Sequence, residues 1–470
     1  MENKNKLVAF LEQPKNQEKI KEIKKNLQQL SQPKTKNKPV LVEKIYKHLA
    51  DVFCGYYQIY YDNTKTWWYW FPDELIWKMI EQIEIEIQYE DLLTVLEETT
   101  NISITHLHQT QKNLIDVTLK HKAHQRQFEN ISSEIIFFKD RGINVLTNKT
   151  IIAEPKYFIT NKINHKLGIS EETPTIDKIF KEWVGCEYLL LEEIIAYSMY
   201  RGYPLQKFFI NYGLGRNGKS SYETFVKRVL GKENMIASDI ELIVKGKFES
   251  SRFDNKLVCT ISEVDKMTKV NTAIIKRLTG GEDLVHAEKK FKDAYEFTNY
   301  AKIIISTNYI PEFQDTTPAF FRRPILINFP NQFTSARDIL EDIKQEEYEN
   351  FCRKCVGLLK NILISREFTT NLDPYETEEK KKIYYNAAYQ NLTKYISEDY
   401  TLDSTEYIDF SSFYEGYLIY CKVNKIVPEK EKTIGYQLNI LGYRKSNYPY
   451  TKEAGAETSK VVIWGLKEKE

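Results

Sequence analysis

Residues 213–220 read Gly213-Leu214-Gly215-Arg216-Asn217-Gly218-Lys219-Ser220, with Ser221 next. Two glycines with four residues between them, Gly213 and Gly218, followed at once by Lys and Ser, is a spacing suited to phosphate. Gly213, Gly215 and Gly218 let main-chain N–H groups turn inward around phosphate oxygens, and a helix beginning at Lys219 adds its positive end. Lys219 reaches the terminal phosphates, Asn217 and Ser221 belong to the same nucleotide-binding run, and Ser220 can coordinate Mg²⁺. The expected ligands are ATP and Mg²⁺. The loop alone does not distinguish a kinase from a motor or a switch.

Hydrolysis needs further groups, and the sequence offers them at strand ends. The run 256–263 is apolar and delivers Glu263 at its edge, where it would serve as general base and help Ser220 organise the Mg²⁺. Asp265 is near enough to share that task. The run 301–308 ends in Asn308, an amide suited to orienting the attacking water. Arg322-Arg323 is an adjacent arginine pair in a chain that uses Lys for most of its positive charge, and a guanidinium is favoured where a forked donor meets phosphate oxygens. Between the acid and the arginines, residues 284–297 read as strand, cationic turn, strand. Lys289, Lys290 and Lys292 around Phe291 combine phosphate-attracting charge with an aromatic face, a pairing suited to single-stranded DNA. A solvated loop would look similar.

These residues have to be positioned by alternating elements. Apolar β-forming runs at 208–212, 257–262, 303–307 and 325–329 interleave with helical patterns at 176–200 and after Lys219. That alternation predicts an α/β layer with a mainly parallel sheet and a ligand edge at the strand C-termini. At 470 residues the chain exceeds one compact core. The organisation expected is a flexible basic arm over 1–40, an aromatic-rich α+β domain over 41–175, the α/β core over 176–345, a helical segment over 346–400 and a last unit over 401–470. The arm is inferred from ten Lys against four Glu with few apolar residues. In the second domain, aromatic runs at 56–61 and 67–71 around an Asx-rich turn predict a hairpin, and its rings are read as core ahead of a base-stacking platform. A second hairpin is expected over 137–148 with Gly142 in its turn. In the last unit, Phe413, Tyr417 and Tyr420, then Ile434, Leu438 and Leu441, keep helical spacing before a strand at 461–464.

Composition sets outer limits. Lys+Arg 67 against Asp+Glu 66 excludes a uniformly basic nucleic-acid coat, so any DNA affinity is local. No apolar run approaches the length of a membrane span, and the N-terminal apolar run is too short for a signal peptide, which predicts a cytoplasmic protein without membrane partners. The six cysteines do not suggest a disulfide framework.

The order of these motifs resembles the superfamily 3 helicases, in particular the poxvirus, phage and plasmid primase-helicase branch. The likeness rests on N-G-K-S at 217–220, S-E at 262–263, L-T-G-G at 278–281, T-N at 307–308 and R-R at 322–323. It implies an AAA+ P-loop ATPase core assembled as a homo-hexameric ring, with Arg322 or Arg323 acting on a neighbour's ATP. The turn carrying Lys289, Lys290, Phe291 and Lys292 would draw single-stranded or forked DNA through the pore in the 3′ to 5′ direction. It also implies a collar-type domain before the core and a winged helix after it, with a separate primase or polymerase as partner. Two departures stand out: Glu282 precedes Asp283 after the paired glycines, and Ser262 occupies a position that is acidic in some relatives.

The function expected is therefore that of an ATP-dependent replicative DNA helicase of a virus, phage, plasmid or other mobile element. One alternative is an ATP-regulated DNA-binding initiator that does not unwind. Another is a primase-helicase making its own primers, for which Glu84, Glu86, His106 and His108 would have to supply the metal-binding set. The segment reads as helix, which disfavours that set. A zinc site from those histidines with His121 and His124 lacks neighbouring cysteines, and Cys352 and Cys355 read as helix residues.

Overall fold

A computed structural model describes the chain apart from residues 1, 33–36, 101–113, 214, 247, 263–268, 271, 291, 309, 314–317, 335–337, 370–388, 425, 427, 452–456 and 470. The first aromatic runs form an antiparallel meander of β1 (Ile59–Tyr61), β2 (Trp67–Phe71) and β3 (Ile76–Ile80). The Asx turn is in place: Asp62 Oδ1 accepts from the N–H of Thr64 at 2.8 Å and of Thr66 at 2.9 Å. Trp67, Trp68, Trp70 and Trp77 are buried, so these rings are core rather than a stacking platform. A second small sheet, β4 (Ile135–Phe137), β5 (Gly142–Asn144) and β6 (Thr150–Ile151), shares an apolar cluster with three of those tryptophans. Gly142 opens β5 instead of occupying the turn, and a Cβ there would come within 2.5 Å of Ile151, so the position serves close strand approach.

The expectation of a flexible arm over 1–40 is corrected. Helices span Glu2–Leu11 and Pro14–Leu30, and a third, Lys38–Tyr56, crosses the boundary at 40. Composition suggested too little apolar surface for order, yet Leu7, Leu11, Ile20 and Ile23 fall at helical spacing. They join one buried cluster with Ile45, Leu49 and Phe53 of the third helix. Tertiary burial supplies the ordering energy that local composition cannot show.

The central unit is a five-stranded parallel sheet in the order β15-β7-β13-β9-β8, built from β7 (Phe208–Tyr212), β8 (Met235–Ser238), β9 (Val258–Ser262), β13 (Lys302–Thr307) and β15 (Pro324–Asn328). Smaller pairs lie in between: β10 (Lys269–Val270) with β14 (Glu312–Phe313), and β11 (Leu284–Ala287) with β12 (Tyr295–Thr298). Both faces of the sheet are covered, as a parallel sheet requires. Phe208 and Ile210 enter one apolar cluster and Phe209 the other. The single helix expected over 176–200 is two, Pro174–Val184 and Tyr188–Ser198, separated where Gly185 adopts φ 66. Lys302, at the start of β13, is wholly buried and donates to the carbonyls of Gly202 at 2.7 Å and Tyr300 at 2.9 Å, anchoring the edge of the sheet that faces away from the strand C-termini.

The C-terminal unit runs helix Gln390–Asp399, β16 (Tyr400–Asp409), helices Phe410–Val423 and Glu431–Ile440, β17 (Lys445–Thr451) and β18 (Glu457–Glu468). Its strands pair antiparallel in the order β16-β18-β17. The two helices match the spacing read from the sequence, and Gly442 at φ 92 follows the second. β16 was not foreseen, because its Thr, Asp and Ser residues carry little strand signal and its partner β18 lies far along the chain. Among the described residues no helix is long and apolar enough to cross a membrane.

Candidate phosphate-binding site

β7 ends at Tyr212, and the chain turns through residues 213–218 into the helix Lys219–Leu230. So tight a reversal uses the left-handed backbone at Gly215 (φ 96) and Gly218 (φ 95). Gly218 is needed for space as well, since a Cβ would lie 2.6 Å from the Trp183 ring. Asn217, 2% exposed, donates Nδ2 to the Phe329 carbonyl at 3.1 Å and accepts from Lys219 Nζ at 3.0 Å. Lys219 Nζ also donates to Gly213 O at 2.7 Å and to Asn308 Oδ1 at 3.2 Å. Neutral oxygens therefore orient the ammonium without cancelling its charge, and burial draws its pKa down while Glu223 acts in the opposite sense. A cation is thus pre-placed at a helix N-terminus, where the backbone dipoles favour an anion.

This loop opens on a cleft of 740 Å³ at the C-terminal ends of β9 and β13, a size ordinary for a nucleotide. Ser220, Ser221, Ser262, Ser306 and Asn308 give it a polar end, and Trp183, Phe333 and Ile339 an apolar one. The structure thus brings Gly215, Asn217, Gly218, Lys219, Ser220, Ser221 and Asn308 to one cavity, with Gly213 joined through its carbonyl. Glu263, expected as base and metal organiser, lies outside the described residues, as do Asp265 and Phe291.

Among the lining residues that sequence reasoning passed over are Trp183 and Glu223. Trp183 arrives from a separate helix and carries no local signal. Glu223 had one: four residues after Lys219 on the same helix, it lies on the same face. Its Oε2 accepts from Ser262 Oγ at 3.0 Å. Burial raises the Glu223 pKa, opposed by the Ser306 and Ser262 hydroxyls and by Lys219.

The arginine pair does not line this cleft. Arg323 is 7% exposed, and its Nε donates to Thr279 Oγ1 at 3.1 Å, with a further bond to the Ala319 carbonyl. Arg322 is exposed and bonds to Gln206 Oε1, while Gln206 Nε2 donates to Gly280 O at 2.8 Å. Leu278-Thr279-Gly280-Gly281 is thereby fastened to the segment bearing both arginines. Only Arg322 presents its side chain at the surface; Arg323 is spent on its own chain.

The cationic turn lies where the sequence put it, between the antiparallel strands β11 and β12. Lys290 is exposed, and the Lys289 ammonium lies 5.0 Å from the Tyr295 ring centre. Lys292 is half-buried and donates to Lys65 O at 2.8 Å and Thr66 Oγ1 at 2.9 Å, both in the β1–β2 turn. Beside it, Lys65 pairs with Asp293 at 2.6 Å. The turn is attached to the aromatic N-terminal domain.

Of the primer-synthesis candidates, Glu84 and Glu86 lie in the helix Gln82–Thr100, and Glu84 Oε2 accepts from the Glu81 N–H at 3.0 Å, a helix-end contact. His106 and His108 fall outside the described residues. Cys352 and Cys355 are buried in the helix Gln345–Ser365.

One comparison with known proteins falls on the same segment. A family of unknown function (DUF5906) matches residues 211–323, from the end of β7 through the arginine pair. Primase D5 of Fowlpox virus (strain NVSL) is 28% identical over 168 residues, which is 33% of this chain and 21% of that protein. The chain therefore aligns with about a fifth of that relative's length. Two apo structures of the NrS-1 C-terminal region align with 89% of this chain and 99% of theirs, at 12% and 14% identity and TM-scores of 0.44 and 0.41.

Proposed function

We propose that the chain is an ATP-dependent DNA helicase motor of the superfamily 3 type, acting in replication on single-stranded or forked DNA. The observation that carries this reading is the Lys219 ammonium, held by Gly213, Asn217 and Asn308 at the mouth of a nucleotide-sized cleft above a parallel sheet. Numbered along the chain, the five sheet strands lie in the order 5-1-4-3-2, which supports an AAA+ core. Similarity to a viral protein named as a primase supports a role in replication. The helix, strand, two helices and two strands of the C-terminal unit support a winged helix.

In this reading Ser220 and Glu263 would hold Mg²⁺, which would supply charge neutralisation at the terminal phosphates. Lys219 orients those phosphates, Asn308 aligns the attacking water, and Glu263 accepts its proton. Arg322, at the surface, reaches the ATP of an adjacent copy in a homo-hexameric ring. Lys289, Lys290, Phe291 and Lys292 meet the DNA backbone, and hydrolysis at each interface displaces them 3′ to 5′ along one strand.

The test is strand displacement by the purified chain on a forked duplex with a 3′ tail, measured with ATP and with a non-hydrolysable analogue. ATP-dependent displacement is expected. DNA binding and ATP hydrolysis without displacement would instead favour the initiator, and template-dependent primer synthesis the primase-helicase.

A further inference from the structure

Glu223 is a carboxylate that nothing in the hydrolytic scheme above uses. It lines the phosphate cleft one helical turn beyond Lys219 and Ser220, between the ends of β9 and β13. Its Oε2 is tied to Ser262 Oγ at 3.0 Å, whereas Oε1 is buried and, among the described residues, meets no partner at hydrogen-bonding distance and angle. The Ser306 hydroxyl is near enough to influence the carboxyl electrostatically but is itself left without a partner at such a distance and angle among the described residues. A buried carboxylate oxygen left unpaired is costly, so such an atom inside a polar cleft signals a missing ligand. The ligand has to be cationic or a donor, since a carboxylate only accepts.

Phosphate itself is excluded by charge, and Lys219 is already directed at other oxygens. Among the described residues there is no cluster of three or more acidic, His or Cys side chains able to hold a metal alone. A divalent ion in this cleft therefore has to be shared with the nucleotide, which is how Mg²⁺ is ordinarily held, by one or two carboxylates, phosphates and retained waters. Ser262, at the end of β9, brings a hydroxyl where it can orient a carboxylate but cannot itself supply the negative charge. The geometry points to Glu223 as the outer carboxylate of the Mg²⁺–nucleotide site, set by Ser262 and acting through ion-bound water beside Ser220. This deepens the nucleotide reading and rests on it.

Mn²⁺ serves as the probe, followed by its electron paramagnetic resonance signal in the presence of a non-hydrolysable ATP analogue. Analogue binding in EDTA is measured in parallel by fluorescence. Glu223→Gln keeps the shape and still accepts from Ser262, so analogue affinity in EDTA should equal that of the wild type. Its Mn²⁺ dissociation constant should rise about 10-fold or more, the usual effect of removing an outer partner of a metal site. Equal Mn²⁺ affinity in the two proteins overturns the assignment, and so does a matching loss of analogue in EDTA, which marks a structural role. If Glu223→Gln does not fold, Ser262→Ala carries the test, with a rise of a few-fold expected and no change counting against it. Failure of the wild type to bind analogue under either condition defeats the nucleotide reading itself and the present inference with it.

Discussion

The phosphate loop and the cationic turn between β11 and β12 are both basic, and they spend their charge differently. In the loop, Lys219 is buried and fixed by Gly213, Asn217 and Asn308, so its described hydrogen bonds all lie within one chain. In the turn, Lys290 is exposed while Lys292 is fastened to the β1–β2 turn of another domain. A fixed cation selects a ligand of defined geometry; a half-tied one can exchange partners. The first arrangement suits an invariant chemical step and the second an attachment that is made and broken.

Two substitutions break the comparison at its rigid end. Lys219→Ala removes the charge and leaves Asn308, Asn217 and Gly213 without their shared donor. ATP turnover should fall to background, measured by phosphate release, while the fold persists by circular dichroism. Arg322→Ala should leave nucleotide affinity close to wild type and lower hydrolysis by about 10³-fold or more, the scale of an arginine acting on transferring phosphate. Mixing the Lys219→Ala and Arg322→Ala chains should restore part of the hydrolysis, because a mixed interface pairs an intact loop with an intact arginine. Arg323→Ala makes the contrast: it removes the donor to the Ala319 carbonyl and to the buried Thr279 hydroxyl, which keeps its own bond to the Ile275 carbonyl, and should cost about 1–3 kcal/mol of stability in a denaturant titration. If Arg323→Ala instead spares stability and abolishes turnover, the roles of the two arginines are reversed.

The loop was legible in the sequence because its logic is local. A strand, a glycine-rich reversal, Lys, Ser and a helix follow one another without interruption from Phe208 to Leu230, and the glycine turns and the bonds of Lys219 to Gly213 and Asn217 act between near neighbours. The parallel strands were legible for a related reason, since buried on both faces they are continuous apolar runs. Distant packing was not legible. Trp183 enters the cleft through its approach to Gly218, which no spacing encodes. The ordering of residues 2–30 depends on Leu7, Leu11, Ile20 and Ile23 finding the helix Lys38–Tyr56. The two members of Arg322-Arg323 are alike in sequence and separate only when one of them meets Thr279.

At the half-tied end, the effects should be smaller and dependent on salt. Replacing Lys289, Lys290 and Lys292 together by Ala should weaken binding of single-stranded DNA. It should also flatten the plot of log affinity against log salt concentration by up to ~0.7 for each phosphate no longer neutralised. Basal ATP hydrolysis should be unchanged, since none of the three lines the cleft. An unaltered salt slope would move the DNA to another surface.

The smallest effect comes from the tie between domains. Lys65 and Asp293 form an exposed ion pair, which contributes little in water. The Lys292 bond to Thr66 Oγ1 is better sheltered, because Thr66 is 6% exposed. Thr66→Val keeps the branched shape that suits this turn and deletes the acceptor, at a cost of about 1 kcal/mol. Lys292 would then be held by the Lys65 carbonyl alone and would exchange more readily onto a phosphate oxygen. Affinity for single-stranded DNA should increase about 2–5-fold by fluorescence anisotropy at fixed salt, the most that one such bond can release. The gain should vanish when Lys292→Ala is added, because the two changes act on one hydrogen bond. If Thr66→Val leaves affinity unmoved, the tie and the DNA do not compete for Lys292, and the turn works while still docked on the aromatic domain.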